Sequence, residues 1–366
     1  MKNILFLLVA IVLMACTASV SGPNTPEQPS KIIFLIGDGM GLSAVTTGFY
    51  YGEQPSVFTR FQEIGLQQTS SAKEKVTDSA ASGTALASGT KTYNGAIGID
   101  TSLTPHQSIA ELTASLGWST GVVATSTISH ATPACFYAHV EQRGMEDEIA
   151  SQLLNSEIDF FAGGGLARFI ARADSTNILP LAAEKGFLVD TSKLAVTGTL
   201  KADQKYGFLL AMGGMPSMIQ GRGSFLPDAT SLAISHLSQN PGGFFLMVEG
   251  SQIDWAGHAN STEYLVGEML DFEKTIAAAL DYAEKDGNTL VVVTADHETG
   301  GVALATATVK GSPFANYAEI EPVYATTGHS ATLIPVFAYG PGAENFKGIY
   351  QNTDIFHKMA ALVKGK

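Results

Sequence analysis

Cysteine is nearly missing from this sequence. Of 366 residues only Cys16 and Cys135 carry a thiol, which excludes a disulfide framework. Cys135 lies in apolar sequence and reads as a small buried hydrophobe, not a nucleophile. Basic residues are also scarce, 21 Lys and Arg against 34 Asp and Glu, a net charge of −13. That balance argues against nucleic acid as a partner, because phosphate backbones demand a basic face. An acidic protein that handles anions needs positive charge supplied locally, and bound metal cations are one source. The N-terminal apolar run, Ile4 to Ala15 behind Lys2, is too short for a stable membrane span and has the length of a secretory h-region.

The first fifteen residues are therefore expected to be a signal peptide. Leu13-Met14-Ala15-Cys16 resembles the lipobox of bacterial lipoproteins, in which the cysteine becomes a lipidated N-terminus. Residues 16–30, rich in Pro and Ser, then read as a flexible tether. The expected location is periplasmic or cell-surface, with the membrane reached through the lipid on Cys16.

Length alone does not decide between one domain and two for residues 31–366. Apolar runs at Lys31–Ile36, Val122–Thr125, Phe244–Val248, Leu290–Thr294 and Leu333–Ala338 are strand-like. Helical patterns fall between them, at Ser108–Leu116, Glu148–Leu154 and Leu265–Glu284. This alternation predicts an α/β fold, a mainly parallel central sheet with helices on both faces in a three-layer sandwich. Ligand sites in such sheets gather at the carboxyl ends of the strands. Residues 166–239, richer in Gly and polar side chains, read as an insertion of loops and helices.

Polar residues collect at those strand ends. Asp38 stands between two glycines after the first strand. Glu249, Asp254 and His258 follow the Phe244 run, with Asp254 and His258 one helical turn apart, a spacing that lets both face one cation. Asp296 and His297 follow the Leu290 run, and His329 precedes the Leu333 run. An Asp/His/Glu set divided in this way suits zinc together with an oxygen-rich magnesium site. Asp78-Ser79 opens the small-residue stretch Ala80 to Gly89, which reads as a helix N-cap or as a nucleophile on a positive first turn. His130, Thr132 and Arg143 form a further segment, whose arginine can clamp two phosphate oxygens. Gly37-x-Gly39-x-Gly41 and Gly89-Thr90-Lys91-Thr92 miss the spacings of nucleotide loops. His106, His139, His236 and His357 read as structural.

Taken together, Asp78-Ser79-Ala80, His130-Ala-Thr132-Pro133, Glu249 to His258, Thr294-Ala-Asp296-His297 and Gly328-His329 resemble, in order, the motifs of the alkaline phosphatase family. The resemblance runs from Lys31 to the last helix and implies a single catalytic domain over residues 31–366. It implies a phosphomonoesterase with two Zn2+ and one Mg2+, in which Ser79 is phosphorylated, Arg143 clamps phosphate and Asp78 positions the arginine. It assigns Asp254, His258 and His329 to one zinc, Asp38, Asp296, His297 and ionised Ser79 to the second, and Asp38, Thr132 and Glu249 to magnesium. His130 and Trp255, flanking the substrate, replace the Asp and Lys of the best-known enterobacterial member, as in other members, which implies weaker phosphate binding. Small phosphomonoesters are the implied substrates and a homodimer the implied assembly. The alternatives are a phosphodiesterase or sulfatase-like hydrolase of the same superfamily, or a non-enzymatic lipoprotein that captures metal or phosphate.

Overall fold

A computed structural model describes residues 28–52, 54–194, 200–308 and 314–364. The expected signal peptide, Cys16 and most of the expected tether lie outside the described residues. Among those described, no helix is long and apolar enough to cross a membrane.

Ten strands form the main sheet. From one edge to the other they run Gly348–Gln351, Glu63–Gln68, Ile334–Tyr339, Thr289–Thr294, Lys31–Gly37, Phe244–Gly250, Ser119–Thr127, Phe160–Gly164, Lys205–Leu209 and Phe187–Asp190. Only Ile334–Tyr339 runs antiparallel to its neighbours; the other pairings are parallel. The central strands are buried along almost their whole length, as expected where helices cover both faces. Along Lys31–Gly37, Ile32, Phe34 and Ile36 enter one core while Ile33 and Leu35 enter the other. The two-residue period of a strand thus separates two hydrophobic layers, one on each side of the sheet.

All five apolar runs identified in the sequence are strands, and all three helical patterns are helices. Helix Ile109–Ser115 has Ser108 and Glu111 in a reciprocal capping box. The other two are Glu146–Asn155 and Thr262–Asp286, the latter begun by Ser261 and ended by left-handed Gly287. Residues 166–239 depart from expectation, because they supply Phe187–Asp190 and Lys205–Leu209 to the main sheet. Both strands are short, and Phe187–Asp190 forms a half-exposed edge without a continuous apolar run. Glu63–Gln68 was hidden for a related reason, since three of its six residues are Glu or Gln.

One buried ionic group stands apart from the strand ends. Arg222 donates to Glu268 and, at 2.8 Å, to Asp271, both on the long Thr262–Asp286 helix. Glu268 also accepts the Met218 N–H at 2.8 Å, which ties the preceding turn to the helix. Removing the guanidinium leaves two buried carboxylates without a cation. Arg222→Ala is expected to lower unfolding free energy by about 3–5 kcal/mol in urea titration; a loss below about 1 kcal/mol would contradict this account.

Candidate active site and metal centre

Asp78 caps helix Ser79–Ser88 with one carboxylate oxygen and orients an arginine with the other. Its Oδ1 accepts the Ala81 N–H at 2.9 Å, while Oδ2 accepts from Gly95 N–H and Arg143 Nη1, each at 3.1 Å. Every residue of this helix is buried, which its small side chains allow. Ser79 is the first helical residue, and its Oγ lies 3.3 Å from His297 Nε2. Arg143 Nη2 lies 3.1 Å from His130 Nε2. A guanidinium has no acceptor, so His130 Nε2 receives this bond. Trp255 meets the His130 ring edge-on, with centroids 6.2 Å apart.

Three groups of potential ligands surround this point: Asp254, His258 and His329; Asp38, Asp296 and His297; and Asp38, Glu249 and His130. In the first, His258 Nε2 and His329 Nε2 are 3.2 Å apart and lie 3.3 and 3.5 Å from Asp254 Oδ1. A point equidistant from all three lies roughly 1.9 Å from each, so a zinc ion at its usual distance of about 2.0–2.1 Å fits just off their plane. The two Nδ1 atoms face backbone carbonyls, Thr327 O at 2.5 Å and Thr77 O at 2.9 Å. Carbonyls only accept, so both Nδ1 atoms carry hydrogen, and in neutral rings the two Nε2 lone pairs face each other.

The second group shows the same need for a cation. Asp38 Oδ1 and Asp296 Oδ2 are buried without hydrogen-bond partners, 3.5 and 3.2 Å from His297 Nε2. In the third, Glu249 Oε1 is likewise buried and unpartnered, whereas a neutral His130, with Nε2 accepting from Arg143, carries its proton on the buried Nδ1. Thr132 Oγ1 lies 3.4 Å from Asp38 Oδ2, so Thr132 stands beside this group. With His130 Nε2 engaged by Arg143, the donor chemistry fits zinc in the first two groups, each with a free imidazole nitrogen, and an oxygen-bound cation in the third. His106, His139, His236 and His357 belong to none of the three.

Several supporting groups were missed. Ser126 and Ser251 donate to Glu249 Oε2, and the carbonyls of Thr77 and Thr327 orient the two histidines. Thr299 Oγ1 contacts both Asp254 and His297. Backbone carbonyls carry no residue-type signal, and a hydroxyl near a ligand motif is too common to single out. Cys135 is buried as expected, and burial pushes its thiol up to about 12.

A family model described as alkaline phosphatase matches residues 30–326 and 305–364. Alkaline phosphatase 4 of Bacillus subtilis (strain 168) is 35% identical, with 91% of this chain and 88% of that protein aligned. The alkaline phosphatase of Escherichia coli (strain K12) is 31% identical over 92% of this chain and 87% of that one. Among solved structures, alkaline phosphatase from the Antarctic bacterium TAB5 matches with a TM-score of 0.90 and 51% identity, covering 92% of this chain and 98% of that chain. A variant of the TAB5 enzyme with a histidine changed to aspartate has magnesium bound in its M3 site.

The crowding of acids and imidazoles has a pH signature in metal-free protein. Burial, with Asp296, Asp254 and Glu249 nearby, holds Asp38 well above the usual carboxylate range, and burial lifts Glu249 to about 7. The hydrogen bond to Asp254 raises His258 to about 9. Groups raised in the folded state stabilise it below their unfolded values, and that stability is lost as pH rises through the folded ones. Burial lowers His130, to about 4, and His297; these act oppositely, but chiefly below the ordinary histidine value of about 6.5. Metal-free protein is therefore expected to melt at a lower temperature at pH 9 than at pH 7, with added zinc and magnesium reducing the difference. Calorimetry with and without metal checks this, and a metal-free melting temperature that rises over that interval would refute it.

Proposed function

Because the chain belongs to the alkaline phosphatase family and is a phosphomonoester hydrolase, we propose that it works through a phosphoserine on Ser79 at a site of two zinc ions and one magnesium ion. The observation that carries this proposal is the convergence of buried, unpartnered oxygens on Asp38, Asp296 and Glu249 near a serine at a helix start. Asp254, His258 and His329 would hold one zinc; Asp38, Asp296 and His297, with Ser79, the other; Asp38, Thr132 and Glu249 the magnesium, with His130 beside it. When bound, such cations favour the serine alkoxide, neutralise the departing oxygen and ionise water.

The chain's own residues then divide the work. Ser79 Oγ gives up its proton to solvent and forms a bond to phosphorus as the ester oxygen leaves and takes up a proton from water to become the alcohol. Arg143 holds two equatorial phosphoryl oxygens with its planar fork, and Asp78 keeps the fork in place. Water then attacks phosphoserine from the opposite side, the Ser79 oxygen leaves and regains a proton, and phosphate is released. His130 stays neutral near pH 7 because burial holds it near 4. Neither it nor Trp255 supplies a lysine's point charge, which favours release of the product. Ser79, Thr132, Glu249 and Arg143 together favour monoesters over diesters.

For location and assembly we propose an exported homodimer, periplasmic or cell-surface, anchored by a lipid on Cys16. The support is the Leu13-Met14-Ala15-Cys16 sequence and the family resemblance.

Ser79→Ala is expected to lower kcat for an aryl phosphate by about three orders of magnitude or more, with zinc content unchanged by mass spectrometry. Undiminished turnover would eliminate the covalent route. Chelation is expected to abolish activity, and zinc with magnesium to restore it; equal activity of metal-free protein would refute the metal assignment. Side-by-side assays should show monoesters cleaved faster than diesters or sulfates, and the reverse order would favour the other hydrolases of the superfamily.

A further inference from the structure

Thr299 joins ligands of both proposed zinc sets through a single atom. It is 2% exposed, and its Oγ1 donates to Asp254 Oδ1 at 2.5 Å while lying 3.2 Å from His297 Nδ1. A hydroxyl has one proton, and an ionised carboxylate only accepts. With that proton directed at Asp254, the bond from His297 must come from Nδ1–H. This tautomer turns the His297 Nε2 lone pair towards Asp38, Asp296 and Ser79. The chain of donors runs in one direction: His297 Nδ1–H to Thr299 Oγ1–H to Asp254 Oδ1.

The surroundings hold this hydroxyl in place. Thr299 is β-branched and stiff at χ1, and its methyl sits over Gly257, where a Cβ would come within 2.9 Å of it. Gly39 has φ +73°, and a Cβ there would lie 2.8 Å from Thr299 Oγ1. The Thr299 N–H donates to Gly39 O at 3.1 Å, and Thr299 pairs across a short antiparallel ladder with His329. One residue therefore meets the segments that carry Asp38, Asp254, His297 and His329.

We propose that Thr299 is a positioning residue that sets the His297 tautomer and couples zinc binding at the two sets. A cation drawing electron density from His297 Nε2 makes Nδ1–H a stronger donor. That polarises the Thr299 hydroxyl and strengthens its hold on Asp254. A cation on either set thus acts on a ligand of the other through this one hydroxyl. This inference rests on the two-zinc assignment proposed above.

Its test uses metal-free full-length protein titrated with zinc against a chromophoric chelator, with magnesium present, for wild type, Thr299→Val and Thr299→Ser. Valine keeps the methyl packing and removes the hydroxyl; serine keeps the hydroxyl. Thr299→Val is expected to bind zinc about 10–100-fold more weakly and to lose the coupling between the two ions, while Thr299→Ser stays close to wild type. The metal-free melting temperature of Thr299→Val is expected to fall by only a few degrees, the cost of one lost buried hydrogen bond, with Thr299→Ser close to wild type. Wild-type-like zinc binding by Thr299→Val, or equally weak binding by Thr299→Ser, would overturn the proposal, as would a metal-free Thr299→Val that melts far below wild type. Failure of the wild-type protein to bind two zinc ions would instead overturn the underlying metal assignment.

Discussion

Uncompensated negative charge at one edge of the sheet is the constraint on which the rest of the structure depends. Asp38, Glu249, Asp254 and Asp296 are all buried there, and the nearby Arg143 is already paired with Asp78. A carboxylate withdrawn from water is costly unless paired, and carboxylates close together raise one another's pKa. The raised values of Asp38 and Glu249 express that cost in metal-free protein. Divalent cations at the proposed site would remove it, and the same positive charge would suit an anionic phosphoryl group, so stabilising the centre and performing its chemistry would draw on one source.

Holding that charge requires a rigid frame, which the sheet supplies. Four neighbouring strands, Thr289–Thr294, Lys31–Gly37, Phe244–Gly250 and Ser119–Thr127, run parallel and deliver their following residues to one edge. Ile334–Tyr339 lies beside them in the opposite direction. Its preceding segment therefore reaches the same edge, which explains why His329 comes before a strand while the other ligands come at or after strand ends. The short pairing of His329–Ser330 with Glu298–Thr299 completes the placement.

The cap expected at Asp78 is present, and the same carboxylate has a second use. One Asp78 oxygen caps the helix while the other holds Arg143, and the cap aims Ser79 at His297. Such double use is hard to infer from sequence, since capping alone accounts for an acid before a small-residue helix. The strands of residues 166–239 were obscured differently. Phe187–Asp190 and Lys205–Leu209 are short and join the sheet at one edge, so pairing with neighbours matters more than a long apolar run.

Local chemistry determined what the sequence showed alone: the buried central strands by their apolar runs, the helices by their period and caps, and the candidate ligands by acids and imidazoles at strand ends. Motif order added the family resemblance. Tertiary structure decided which candidate ligands lie together, that His130 joins Asp38 and Glu249, and that Thr299 touches both Asp254 and His297. Those relations join residues far apart in the chain, such as Asp38 with Asp296 and Thr299 with Asp254. Periodicity and propensity describe neighbours along the backbone, whereas these distances are set by strand order, the direction of Ile334–Tyr339 and packing around glycines.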